Sequence, residues 1–259
     1  MKRLLLLSGF LSISSVSMAK VITQTVEYKH GDTVCQGYLS YDDAAKGRRP
    51  AILIVHDWLG VSYYQKMRAE QLAALGYVAL AADVYGKGVR PANRDEASAQ
   101  AGKFYKDRAL LRARVRAGLD YLAAQPQADP ARLAAIGYCF GGAGALELAR
   151  SGAPLRAVVT FHGSLSAADT SDARNIKAKV LVLHGADDPF VKQDDVQAFM
   201  NEMRSGHVDW QLVQYSGAVH SFTDKRAGGD NSKGAAYNEA ADQRSWRAMR
   251  DFLEETLGR

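Results

Sequence analysis

Five short and almost wholly apolar runs constrain this chain most: AILIVH (51–56), VALAAD (78–83), LAAIGYC (133–139), AVVTFH (157–162) and KVLVLHG (179–185). Runs of that length without polar alternation suit strands buried on both faces, as in a parallel sheet covered by helices. Between most of them the apolar residues recur with helical period. The pattern predicts helices over 63–75, 141–151, 193–205 and 236–257, and a pair over 94–124. DWQLVQYSG (209–217) supplies a late strand. Right-handed crossovers then lead to an α/β fold with a mostly parallel, doubly wound sheet and helices on both faces. Ahead of it, VITQTVEYKH and VCQGYLSYD flank a Gly31-Asp32 turn signal and read as an antiparallel strand pair.

The first nineteen residues, MKRLLLLSGFLSISSVSMA, place Lys2 and Arg3 before an apolar run that ends in small residues at Ser17 and Ala19. That is the layout of a cleavable export signal, and the run is short and serine-rich for a membrane span. The expectation is an exported, periplasmic protein with a mature chain from Lys20. It would form one domain over 20–259, without stable membrane association after processing. The formal net charge is +5, of which Lys2 and Arg3 contribute two. No concentrated basic face with interleaved aromatics stands out, so the composition does not favour nucleic-acid binding. The polar stretch DKRAGGDNSKGAAYN (224–238) reads as the one candidate linker. Oligomeric state is not legible.

In open α/β sheets, chemistry collects beyond the carboxyl ends of the strands. Four such ends carry reactive side chains: VHDWLG (55–60), GYCFGG (137–142), HGADDPFV (184–191) and GAVHSF (217–222). Gly137, Cys139 and Gly141 have the spacing of a G-x-S-x-G corner with cysteine in place of serine. Such a turn sets the sulfur at a helix N-terminus, where the dipole favours a thiolate. The rival dinucleotide fingerprint fails, because GGAGALE lacks the third glycine of G-x-G-x-x-G. The other cysteine, Cys35, reads as a compact strand residue. A Cys35–Cys139 disulfide stays open in an exported chain.

A cysteine nucleophile needs a base and an orienting carboxylate. His220 follows the last strand, although a lone loop histidine is commonly structural. Asp187 and Asp188 precede Pro189, where either could cap a turn. Asp188 fits the spacing from Gly185 to Val191 better. The order Cys139, Asp188, His220 is the order of nucleophile, acid and base in α/β-hydrolases. The oxyanion donors would be the backbone amides of Trp58 and Phe140. For Asp57 two readings stand level: an N-cap of the following helix, and a carboxylate close to the sulfur. His56, His162 and His184 all end strands without metal-ligand spacing, so neither a metal nor an organic cofactor is called for. His162 is a candidate pocket residue. Without a C-x-x-C motif, a redox role for Cys139 has little support.

Taken together, VHDWLGVS, ADVYGKG, GYCFGGAGAL, LHGADDPFV and AVHSF resemble the dienelactone hydrolase family of α/β-hydrolases, over nearly the whole mature chain. The resemblance implies hydrolysis of a small-molecule ester or lactone through an acyl-cysteine. Cys139 would be nucleophile, His220 base and Asp188 its partner, with Trp58 and Phe140 as oxyanion donors. It also implies that an acid at position 57 contacts the resting thiol. The family usually has glutamate there, and this chain has the shorter aspartate. Four residues after the histidine, where the family's lactone-cleaving members bind a substrate carboxylate with arginine, stands Asp224. Arg226 is the nearest available substitute. The alternatives are a thioesterase or general carboxylesterase, and an exported binding or scaffold protein with little catalysis.

The export reading has a direct test. Protein recovered from the periplasm of an expressing Gram-negative cell should begin at Lys20 by N-terminal sequencing and intact mass. An N-terminus retaining Met1 would overturn it.

Overall fold

The computed structural model describes residues 20–258. The residues proposed as an export signal lie outside the described residues. Eight strands, β1 (Val21–His30), β2 (Thr33–Asp42), β3 (Arg49–Val55), β4 (Val78–Ala82), β5 (Ala128–Tyr138), β6 (Ala157–Phe161), β7 (Lys179–Gly185) and β8 (Trp210–Tyr215), join one sheet in the order β1-β2-β4-β3-β5-β6-β7-β8. From β4 to β8 neighbouring strands are parallel, while β1 and β2 run antiparallel at one edge. This is the mostly parallel α/β-hydrolase architecture that the apolar runs predict.

Strand periodicity sorts the core into two layers. Leu53 and Val55 of β3 face one way, with Leu111, Val115 and Leu119 of α3 (Arg108–Ala123), Leu146 of α4 (Phe140–Arg150) and Phe199 of α5 (Gln193–Ser205). Ile52 and Ile54 face the other way, with Leu72 of α1 (Tyr63–Ala74) and Met249 and Leu253 of α6 (Glu239–Leu257). Every residue of β3 is buried, as its unbroken apolar run implies. The remaining helix, α2 (Arg94–Lys106), is N-capped by Asn93 and ends where Asp107 begins α3, with Asp107 Oδ1 accepting the Leu110 amide at 2.8 Å. That cap divides the long helical pattern into the expected pair.

The region 224–238 departs from the sequence reading. It is no linker: it folds back as a strap of two short 3-10 turns, Lys225–Ala227 and Asn231–Lys233, against the loop bearing His220. The His220 amide donates to Gly234 O at 3.1 Å, and the Ala236 amide donates to His220 O at 3.0 Å. Helix α6 therefore begins at Glu239, later than expected, with Asn238 Oδ1 accepting the Ala241 amide at 3.0 Å. Polarity misled here, because backbone pairing can tie down a segment with few apolar side chains to bury.

Topology also positions the site. Strand order turns in opposite directions from β3, so the loops after β3 and β5 diverge at a switch point. Val55 pairs with Gly137, which brings Asp57 and Trp58 beside Cys139. Truncating Leu53 to Ala in this layer should cost about 3 kcal/mol of unfolding free energy, read from denaturant melts. A loss below about 1 kcal/mol would contradict the packing described.

Candidate active site

The corner between β5 and α4 is set by backbone crowding. A Cβ placed on Gly137 would lie 1.9 Å from Gly141 O, and one on Gly141 would lie 2.1 Å from Val55 O. Only hydrogen fits at either position. Cys139, between them, is held at φ 55° and ψ −118° as the residue preceding α4. Three of the four non-glycine residues at positive φ among the described residues, Cys139, His162 and Ser221, belong to this site. Strain concentrated in that way is a mark of functional sites. The Cys139 amide donates to Phe161 O at 3.1 Å, and the Gly142 amide donates to Cys139 O at 3.0 Å. Phe140 supplies the first amide of α4, one of those that lack an intrahelical acceptor. Its ring is fully buried against His56, Tyr85, Phe104 and Tyr105.

His220 Nδ1 lies 2.8 Å from Asp188 Oδ2, and Asp188 Oδ1 accepts the Phe190 amide at 2.8 Å. Both carboxylate oxygens are engaged, so the acid is fixed in orientation. Asp187, the alternative, turns to the exposed Gly217 amide at 3.0 Å. Burial alone would lower the His220 pKa. Electrostatic interaction with Cys139 and the hydrogen bond to Asp188 outweigh it and raise the group to about 10. The imidazole is thus held by Asp188 through Nδ1 and shares a cavity with Cys139.

Trp58 follows Asp57 at the end of β3, and its carbonyl accepts the Tyr85 hydroxyl at 3.0 Å. Asp57 does not cap α1. Ser62 does, in a capping box with Gln65. Asp57 Oδ1 instead accepts the Leu59 amide at 2.7 Å and Oδ2 accepts Gln65 Nε2 at 2.9 Å. Gln65 Oε1 is occupied by the Ser62 amide at 3.1 Å, which leaves its NH2 for the carboxylate. Burial raises the Asp57 pKa, opposed by those two bonds, by His56 and by Arg226.

The other strand-end histidines are embedded. His56 Nδ1 bonds the Asp57 carbonyl at 2.5 Å and Nε2 accepts the Val84 amide at 3.1 Å, which pins the loop carrying Trp58. Burial lowers the His184 pKa. His162 stands with its ring centroid 5.2 Å from that of His220. The cysteines are separate free thiols, so no disulfide joins Cys35 to Cys139. Cys35 is fully buried in β2, with Arg114 Nη1 3.8 Å from its sulfur. Among the described residues no cluster of three or more His, Cys, Asp or Glu side chains is placed to hold a metal.

Cys139 and His220 share a cavity of about 370 Å³ with Trp58, Arg94, Tyr105 and Phe190. Arg94, Tyr105 and Phe190 escape a reading by motif. The first two begin and end a helix in an ordinary helical pattern, and Phe190 lies in a turn. Arg226 is not part of this cavity. It engages Asp224 through Nε at 3.0 Å and Nη2 at 2.7 Å, and approaches Asp57 at 3.8 Å. Asp224 is therefore neutralised by its neighbour, and the cavity's guanidinium is Arg94.

Comparison with known proteins gives the chain relatives among dienelactone hydrolase-like proteins. A profile described as the Dienelactone hydrolase family matches residues 35–257. A crystal structure of a dienelactone hydrolase-like promiscuous phosphotriesterase from metagenomic libraries is 44% identical, with a TM-score of 0.89 over 93% of this chain and 100% of that one. A Salmonella typhimurium protein provisionally named as a carboxymethylenebutenolidase is 27% identical over 236 residues, 86% of this chain and 83% of that one. A Bradyrhizobium protein named as a probable 2-oxo-3-(5-oxofuran-2-ylidene)propanoate lactonase is 30% identical over 186 residues, 68% of this chain and 74% of that one.

The corner makes a sharp prediction. Gly137→Ala should destabilise the fold by about 3 kcal/mol or more, or prevent folding, because the methyl overlaps backbone that cannot yield. Gly102→Ala, mid-helix with open space around it, should stabilise by up to about 1 kcal/mol. Equal thermal stabilities of the two variants would contradict the geometry.

Proposed function

The chain belongs to the dienelactone hydrolase family, and from that membership and the site geometry we propose that it hydrolyses a small-molecule carboxylic ester or lactone through an acyl-cysteine. The observation that carries the reading is the strained Cys139, set at the start of α4 in one cavity with a His220 already paired to Asp188. His220 takes the proton of Cys139, and the sulfur attacks the substrate carbonyl carbon. Trp58 and Phe140 amides receive the oxyanion of the tetrahedral intermediate. When it collapses, the carbon–oxygen bond to the alcohol breaks and His220 returns the proton to the departing oxygen. Water then gives its proton to His220 and attacks the thioester. The acid leaves, and Cys139 is restored. Asp188 orients the imidazole and stabilises its protonated form.

Arg94 gives the cavity a positive charge. That favours substrates carrying a carboxylate, in keeping with the lactonase name of the Bradyrhizobium relative. A second reading has its own support: the 44% identical metagenomic protein is described as a promiscuous phosphotriesterase. A side activity is therefore proposed in which the same sulfur attacks the phosphorus of a neutral phosphotriester, the phosphorus–oxygen bond to one alcohol breaks as His220 protonates that oxygen, and water then cleaves the phosphoryl-cysteine to a phosphodiester. Export to the periplasm stays part of the proposal, carried by the first nineteen residues of the sequence.

The test is a panel of aryl esters, lactones, thioesters and one phosphotriester. Cys139→Ala should abolish turnover of the cleaved substrates, and iodoacetamide should inactivate the wild type in step with alkylation of one cysteine. Asp188→Asn should lower kcat by about 10³–10⁴, as loss of the orienting acid does in related triads. Undiminished turnover in Cys139→Ala would overturn the mechanism, and no turnover of any substrate would favour a binding role.

A further inference from the structure

Adjoining the substrate cavity, with Trp58, Cys139 and Ser221 lining both, lies a second and much smaller cavity of about 50 Å³. Asp57, Tyr138, Cys139, His162 and Ser221 line it. Two polar atoms on these residues, His162 Nδ1 and Tyr138 Oη, are buried without a hydrogen-bond partner. The residues are 3% and 1% exposed, so bulk water does not satisfy them. Leaving such a group unpaired costs about 1–3 kcal/mol.

A chain of side-chain hydrogen bonds leads to the other nitrogen of the same His162 ring. Arg68 Nε donates to Tyr64 Oη at 3.2 Å, which directs the Tyr64 proton to Thr223 Oγ1 at 2.7 Å. Thr223 Oγ1, accepting from Tyr64, lies 2.8 Å from His162 Nε2 with a proton it can donate there. The chain of donors runs one way, from a guanidinium that can only donate. Donation from Thr223 leaves the His162 proton on Nδ1 in the arrangement proposed below, and burial, together with His220 and Arg68, opposes a second proton. An N–H donor and a hydroxyl thus line one chamber with a carboxylate and a sulfur.

We propose that this chamber is a built water site, in which one ordered water accepts from His162 Nδ1–H and Tyr138 Oη–H and donates to the Asp57 carboxylate and the Cys139 sulfur. The volume admits a water, and four polar partners match the two to four that buried waters make. The Leu59 and Gln65 bonds use one lone pair on each Asp57 oxygen, so each can still accept. Through this water Asp57 acts on the sulfur without touching it. That consequence rests on the reading of Cys139 as nucleophile, whereas the water site does not.

A crystal structure of the wild type at about 1.5 Å should show a water within about 2.6–3.2 Å of both His162 Nδ1 and an Asp57 oxygen. Nitrogen-15 spectra should show His162 as the neutral Nδ1–H tautomer. A chamber without that density peak, or an Nε2–H tautomer, overturns the proposal even if turnover is normal. His162→Phe keeps the ring and removes the donor. It should lose the water and slow alkylation of Cys139 by iodoacetamide at pH 7 about fivefold, the worth of one hydrogen bond. Unchanged alkylation after loss of the water overturns the link to the sulfur. Should His162→Phe not fold, Thr223→Val removes the hydroxyl that donates to Nε2. The His162 signals should then shift to a mixture of tautomers, and an unchanged spectrum counts against the donor chain. None of these readings needs turnover, so they fail independently of the acyl-cysteine mechanism.

Discussion

The close approach of α4 to the ends of β3 and β5 is the constraint on which the rest of the site depends. Gly137 and Gly141 let backbone meet backbone where any side chain would collide. The chain reverses over so short a distance only with Cys139 at positive φ. An L-residue pays about 1–3 kcal/mol for such a conformation. Packing of the fully buried helix α4 between the sheet and α3 holds it there. The strain has a use, since it sets the sulfur at the sheet edge while leaving the first amide of α4 beside it.

Around that corner, the surrounding elements supply fixed groups. The loop after β3 is pinned from below by His56 and from the side by the α1 capping box, which orients Gln65 and through it Asp57. The loop after β8 is held by the strap, which pairs with the backbone of His220 on both sides. Helix caps and turn hydrogen bonds are elsewhere minor terms in stability. Here they determine where polar atoms stand in a site walled by apolar strands.

Four histidines at strand ends or in the loop after β8 show how environment divides one side chain among several tasks. His56 is locked between two backbone groups, and burial lowers His184. His162 is kept neutral by burial and by neighbouring positive charge. Only His220 is paired with a carboxylate and shares a cavity with Cys139, and of the four only its pKa rises. Distinct partners, rather than burial, separate His220 from three that share its position in the fold.

Much of this was open to a reading of residues in order. Unbroken apolar runs marked the parallel strands because a strand covered on both faces has no polar side to show, and the glycine spacing marked the corner because only hydrogen fits there. The residues Cys139, Asp188 and His220 stood at strand ends, where such folds collect polar groups. What needed the tertiary structure were contacts between segments remote in sequence. Pairing of 224–238 with the His220 loop, the choice of Ser62 over Asp57 as helix cap, Arg226 turning to Asp224, and Arg94 reaching the cavity are all settled by three-dimensional neighbours. Periodicity and local motif report how a residue sits on its own element. Which hydrogen bond a polar side chain makes depends on partners that only the folded chain brings within about 3 Å.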